Sequence, residues 1–126
     1  MNRKADSVIR IPSSLDTDFF KYWLVFLSPF HNLTNRELDI ATGFLKHRYE
    51  LSKVISDNDI LDKVTLGEET RIKITKECGI STSFLQVIIG KLKKSGFITN
   101  GKINPRFIPN IKEDSGNYQL LLLFEL

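Results

Sequence analysis

A single cysteine, Cys78, in 126 residues leaves no possibility of a disulfide within the chain, and a lone thiol fits a reducing compartment or an assembly built in one. Its expected place is burial inside a helix. The two histidines, His31 and His47, are far apart in the sequence and share no ligand spacing with Cys78, so no metal site is supported. His47, between Lys46 and Arg48, reads as a solvated surface side chain. No run approaches the roughly eighteen apolar residues of a membrane span, and the opening MNRKADS has no signal-peptide core. The expectation is therefore a chain made and kept in the cytoplasm. Glycine-rich phosphate loops and a G-x-S-x-G elbow are also missing. The carboxylates fall mainly at helix starts and in loops, where capping and solvation account for them. No enzyme, metal or cofactor is expected.

What is present is a core of ordinary size for one domain, at 41% hydrophobic residues, and an uneven charge. Between Arg71 and Arg106 stand Arg71, Lys73, Lys76, Lys91, Lys93, Lys94, Lys102 and Arg106 against Glu77 alone, which leaves the rest of the chain net negative. Such a patch suits phosphates or an acidic protein neighbour equally.

The same stretch carries the strongest pattern. Thr70 is placed to cap a helix over 71–78, with Gly79 as its stop. Ser81 caps a second helix, in which Leu85, Ile88, Ile89 and Leu92 make one buried stripe, and Gly96 ends it. Phe97-Ile98 and Lys102-Ile103 then flank Asn100-Gly101, the dipeptide suited to a type I′ hairpin, and Asn104-Pro105 closes the second strand. Two short helices, a tight turn and a hairpin predict a winged helix-turn-helix. The fold class expected is mainly α with a small β component.

The outer side of the second helix decides what such a module does. It carries Ser83, Val87, Gly90 and Lys94, flanked by Phe84 and Lys91 on one side and Gln86 and Lys93 on the other. Base readers in this class usually present Arg, Asn or Gln there. Phe84 and Val87 suit a protein contact better.

Upstream, residues 7–11 alternate as a short strand before Pro12. Asp16 is placed to cap a helix over 17–28 that Pro29 ends, and in it Phe19, Phe20, Tyr22, Trp23, Leu24, Phe26 and Leu27 fall nearly all round the cylinder. Its cover is either the domain's own core or a neighbouring subunit. Leu33-Thr34-Asn35-Arg36-Glu37-Leu38 is a capping box with a Leu33/Leu38 staple, opening a long helix whose apolar face continues to Val54 and Ile55. Asp57-Asn58-Asp59 breaks it, and Ile60, Leu61, Val64 and Leu66 suggest a short helix ending at Gly67. At the other end, residues 118–126 (YQLLLLFEL) read as a strand buried on both faces, which needs an edge to join. That edge is the strand at 7–11, the wing, or an adjacent chain. Left free, it would promote aggregation. The organisation expected is an extension over 1–32, a winged-helix domain over 33–109 and a loop with an apolar strand over 110–126.

With these residues in view, LTNRELDIATGFLKHRYELSK, EETRIKITKECGISTSFLQVIIGKLKKSGFI and NGKINPRFIP resemble the small winged-helix proteins of crAss-like and related bacteriophages of gut Bacteroidales, over about residues 33–109. The wing also resembles that of plasmid replication proteins. The first resemblance implies a virion component, for instance a ring in the head-to-tail neck, located in the host cytoplasm and then in the particle. Its partners would be further copies of itself and portal or neck proteins. Phe84, Val87 and Lys91 would then dock a neighbour, Phe19, Tyr22 and Trp23 would lie between subunits, and Leu121 and Leu123 would lock onto an adjacent chain. The second resemblance implies DNA binding, with Lys91, Lys93 and Lys94 on phosphates, Ser83 and Gln86 on bases, and Lys102 and Arg106 in the minor groove.

Overall fold

The computed structural model describes residues 7–16, 18–112 and 116–126. Among them are α1 (Phe19–Phe26), α2 (Ser28–His31), α3 (Asn35–Ser52), α4 (Asn58–Thr65), α5 (Glu68–Cys78), α6 (Thr82–Lys94), the strands β1 (Ile98–Thr99) and β2 (Lys102–Ile103), and the 3-10 turn η1 (Pro105–Phe107). The chain is thus mainly helical with one small antiparallel sheet, as its pattern predicts. None of these helices is long and apolar enough to cross a membrane.

The capping signals act where the sequence puts them. The Thr34 hydroxyl accepts from the Glu37 amide and the Glu37 carboxylate accepts from the Thr34 amide, so α3 starts with both halves of its box formed. Ser81 accepts from the Phe84 amide at 3.0 Å, and Gly79, at φ +62°, turns α5 into α6. In α6 the stripe Leu85, Ile88, Ile89 and Leu92 is buried against Ile40, Phe44, Leu45 and Ile74, within the single hydrophobic core. The hairpin pairs Ile98 with Ile103 and Thr99 with Lys102. Asn100 and Gly101 both take positive φ, as a type I′ turn demands. Asn104 then ties the hairpin's base, its side-chain amide donating to the Gly96 carbonyl at 3.1 Å while its backbone amide donates to Phe97.

Several expectations are corrected. Thr70 does not cap α5. The helix begins three residues earlier, with Gly67 in the cap position and Glu68 and Glu69 in its first turn, where carboxylates favour the helix dipole. The Thr70 side chain is buried instead and donates to the Val64 carbonyl, stitching α5 to α4. Asp16 does not cap α1, which starts at Phe19. Asp18 holds the cap position, and its carboxylate reaches back to the Ser14 amide. Pro29 does not end a continuous helix. The chain turns at Leu27 and Pro29 sits near the start of α2, where a missing amide costs nothing. At the end of α3 the helix stops at Ser52, so Val54 is 82% exposed rather than on the apolar face. Asp57 must be extended to accept from the Asp59 and Ile60 amides, and α3 cannot run through it.

The largest correction concerns the terminal segments. Residues 7–11 and 118–126 belong to no strand, and β1 and β2 are two residues each, too short to offer an edge to a nine-residue partner.

Candidate interaction surfaces

The aromatic helix α1 divides its cover. Phe20, Trp23, Leu24 and Leu27 enter the chain's own core. On the next side round, Tyr118 stands edge-on to Phe19 at 5.5 Å and to Trp23 at 5.4 Å between ring centroids. Of the trio Phe19, Tyr22 and Trp23, only Tyr22 is therefore open to a neighbour. Phe19 and Trp23 are occupied within the chain. The open side of α1 carries Tyr22, Val25 and Phe26, and Phe30 follows on α2 beyond the turn at Leu27; each of the four is 41–51% exposed. The sequence reading passed over Val25 and Phe30. The spacing of 22, 25 and 26 on one helical side is legible, whereas Phe30 follows the turn at Leu27 and is not set by that spacing.

The stripe ends among cations. The Arg106 guanidinium lies 4.9 Å from the centre of the Phe30 ring and also over Phe107. Lys91 and Lys94 border the same concavity as Phe30, together with His31 and Glu37. His31 is a structural side chain. Its Nδ1 accepts from the Leu33 amide at 3.0 Å, so its Nε2 carries the proton that it donates to the Leu24 carbonyl at 2.7 Å.

On α6 the expected docking face is only partly presented. Val87 is 59% exposed, whereas Phe84 is half-buried against the core with the Arg36 guanidinium 5.6 Å above its ring. Lys91 lies 3.9 Å from the Glu37 carboxylate. Ser83, Lys93 and Lys94 are exposed, while Gln86 accepts from Arg71, whose Nε donates to the Leu66 carbonyl. Lys102 is not gathered with the α6 lysines. It lines a separate cleft of about 450 Å³ with Arg48, Tyr49, Asp59 and Asp62. Lys102 thus lines a cleft apart from the α6 lysines, and Arg71 and Lys91 face Gln86 and Glu37.

His47 is also corrected: it is largely covered, and its Nε2 faces the Glu77 carboxylate across the α3–α5 contact. Cys78 is half-buried. Burial pushes its thiol pKa up from the ordinary value, the Glu77 and Asp39 carboxylates add to the effect, and Arg36 opposes it. No group of three or more His, Cys, Asp or Glu side chains is placed to hold a metal ion among the described residues.

The final segment makes the most conspicuous surface. From Leu120 to Leu126 every apolar side chain is at least 43% exposed, including the expected interface residues Leu121 at 58% and Leu123 at 62%. No known protein family, curated protein or solved structure matches the chain.

Proposed function

We propose that the chain is a non-enzymatic structural subunit that works by binding other polypeptides, built on a winged helix-turn-helix, and that its setting is a tailed-bacteriophage particle, in a ring at the head-to-tail neck. The class of function rests on the surfaces, and the setting rests on the resemblance of residues 33–109. One observation carries the reading: the segment Leu120–Leu126 belongs to no helix or strand, is apolar and exposed, and is rooted to the domain at Tyr118. Water-exposed apolar surface of that extent is unfavourable on a free monomer and invites cover by another chain. The exposed stripe on α1 and α2 adds a second such surface to the same molecule.

Quantitative mass spectrometry of purified particles tests the setting. Packaging at a fixed stoichiometry of several copies is expected, and absence from intact particles overturns it.

Duplex DNA binding by α6 is the second reading, and the exposure of Lys93 and Lys94 favours it. It is the weaker of the two, because Gln86 is engaged by Arg71, Lys91 is drawn to Glu37, Val87 holds the middle of the face, and Lys102 lies in another cleft. A mobility-shift assay at low salt separates the readings. Binding that falls steeply with salt and is lost with Lys93→Ala and Lys94→Ala together would establish DNA binding.

A further inference from the structure

We infer that the stripe Tyr22, Val25, Phe26 and Phe30 is the receptor for the segment 119–126 of a second copy of this chain. The inference rests on the assembly reading above and names the two surfaces that meet.

Among the exposed apolar surfaces of the described residues are the side of α1 and α2 carrying Tyr22, Val25, Phe26 and Phe30 and the segment Leu120–Leu126, which lies in no helix or strand. Their lengths agree. Tyr22 to Phe26 spans about 6 Å along α1 and Phe30 follows beyond the turn at Leu27, while seven residues in strand conformation would reach roughly 20 Å, enough to cover them. Their positions agree as well. Tyr118 roots the segment on Phe19 and Trp23, and on the α1 cylinder Phe26 and Tyr22 are the next positions round from Phe19. The segment's root therefore borders the stripe, yet its own residues 120–126 remain exposed and leave that stripe bare. Copies related by a rotation satisfy both surfaces when the segment of each enters the stripe of the next, the head-to-tail arrangement that closes into a ring.

Charge supports the same occupant. Residues 19–31 contain no carboxylate, and the end of the stripe is rimmed by Arg106 and Lys94. The segment 118–126 carries one ionisable charge in its side chains at neutral pH, Glu125, and it is negative. A second copy thus brings an apolar ribbon with an acidic end to an apolar stripe with a basic end.

The test is self-association of the full chain by analytical ultracentrifugation, compared with a chain ending at Tyr118, the face variant Phe26→Ser with Phe30→Ser, and the combination of both. The face residues are exposed, so the variant keeps its far-UV circular dichroism. Either change alone should weaken the contact between copies about tenfold to a hundredfold, as loss of aromatic anchors does. Combining them should add little, because both remove one contact. As a second measurement, Glu125→Lys should weaken association, and Arg106→Glu in the same chain should restore part of it. If truncation dissociates the chain while the face variant does not, the segment docks elsewhere and this inference falls, with the assembly reading intact. If the chain is monomeric whether or not the segment is present, both fall. If the face variant leaves association unchanged and instead abolishes binding of a single-stranded oligothymidine, the stripe is a nucleotide-stacking surface and the inference is overturned.

Discussion

The indole Nε1 of Trp23 donates to the backbone carbonyl of Phe107 at 2.8 Å, a buried hydrogen bond between residues 84 apart in sequence. It fastens the N-terminal helix to the turn that follows the hairpin, and around it Phe107 is fully buried against His31 and Phe97. The first and last regular elements of the domain thus share one polar joint inside apolar walls.

Trp23→Phe keeps the ring contacts and removes the donor, leaving the Phe107 carbonyl buried without a partner. Its cost should be about 1–2 kcal/mol of unfolding free energy, measured by urea denaturation followed by circular dichroism, since the chain has no second tryptophan to report by fluorescence. Tyr22→Phe, one position away and exposed, should change stability by less than about 0.5 kcal/mol. Equal effects from the two would refute the role of the joint.

Two glycines should respond in opposite directions to the same substitution. Gly90 lies in mid-helix on the outer side of α6, and a Cβ there meets nothing within 4 Å. Gly90→Ala should stabilise the chain by about 0.5–1 kcal/mol, by restricting the unfolded backbone and improving helix propensity. Gly101 also has open space, but its φ of +74° is a conformation that alanine resists. Gly101→Ala should destabilise by roughly 1 kcal/mol. Thermal melts of the two variants beside the parent decide the matter, and a stabilising Gly101→Ala would show that the hairpin turn does not need its left-handed backbone.

These elements also show what was legible in the sequence. The capping box at Thr34, the Gly79 turn, the α6 stripe and the Asn100-Gly101 hairpin are local signals, each enforced by residues within a few positions, and all four form where they are read. The failures lie where a distant partner decides. Thr70 has the chemistry of a cap, yet the Val64 carbonyl across the α4–α5 junction claims its hydroxyl. His47 has the sequence neighbours of a surface residue, yet Glu77 on α5 covers it. YQLLLLFEL has the composition of a buried strand, but burial needs an edge, and a chain whose sheet has two strands of two residues supplies none. Of the candidate interface residues, Tyr22, Val87, Leu121 and Leu123 are open; periodicity places Val87 outward, whereas the exposure of Leu121 and Leu123 follows from the missing edge. Phe19, Trp23 and Phe84 are occupied by Tyr118, Phe107 and Arg36, contacts that no spacing rule announces.

The ion pair of Arg48 with Asp62, at 3.2 Å, joins α3 to α4 at the edge of the cleft that Lys102 also lines, and both side chains are more than four-fifths covered. The Arg48 Nε is buried without a hydrogen-bond partner, so the guanidinium depends on Asp62 for its compensation. Asp62→Ala should then cost about 2 kcal/mol or more, because it leaves a covered charge unpaired. Replacing both partners, Arg48→Met with Asp62→Leu, should recover most of that loss. Urea midpoints of the two variants test the account, and it fails if the double replacement is as unstable as the single one.

The Cys78 thiol should be a slow nucleophile at neutral pH. Burial first, and then the Glu77 and Asp39 carboxylates, disfavour the thiolate more than Arg36 favours it, so the folded chain holds this proton more tightly than the unfolded chain does. The sign for stability follows directly. The thiol's contribution is fully present below the unfolded chain's thiol pKa and is lost as pH rises through the higher folded value, because deprotonation then favours unfolding. Iodoacetamide alkylation of the native chain, followed by mass spectrometry across alkaline pH, should give a midpoint above that of the same chain in denaturant. Glu77→Gln should bring the native midpoint down by removing one of the opposing charges, and Cys78→Ala should flatten the loss of stability above neutral pH. A native midpoint at or below the denatured one would mean that the thiol lies in water, and that the side of α5 facing Asp39 is more open than described.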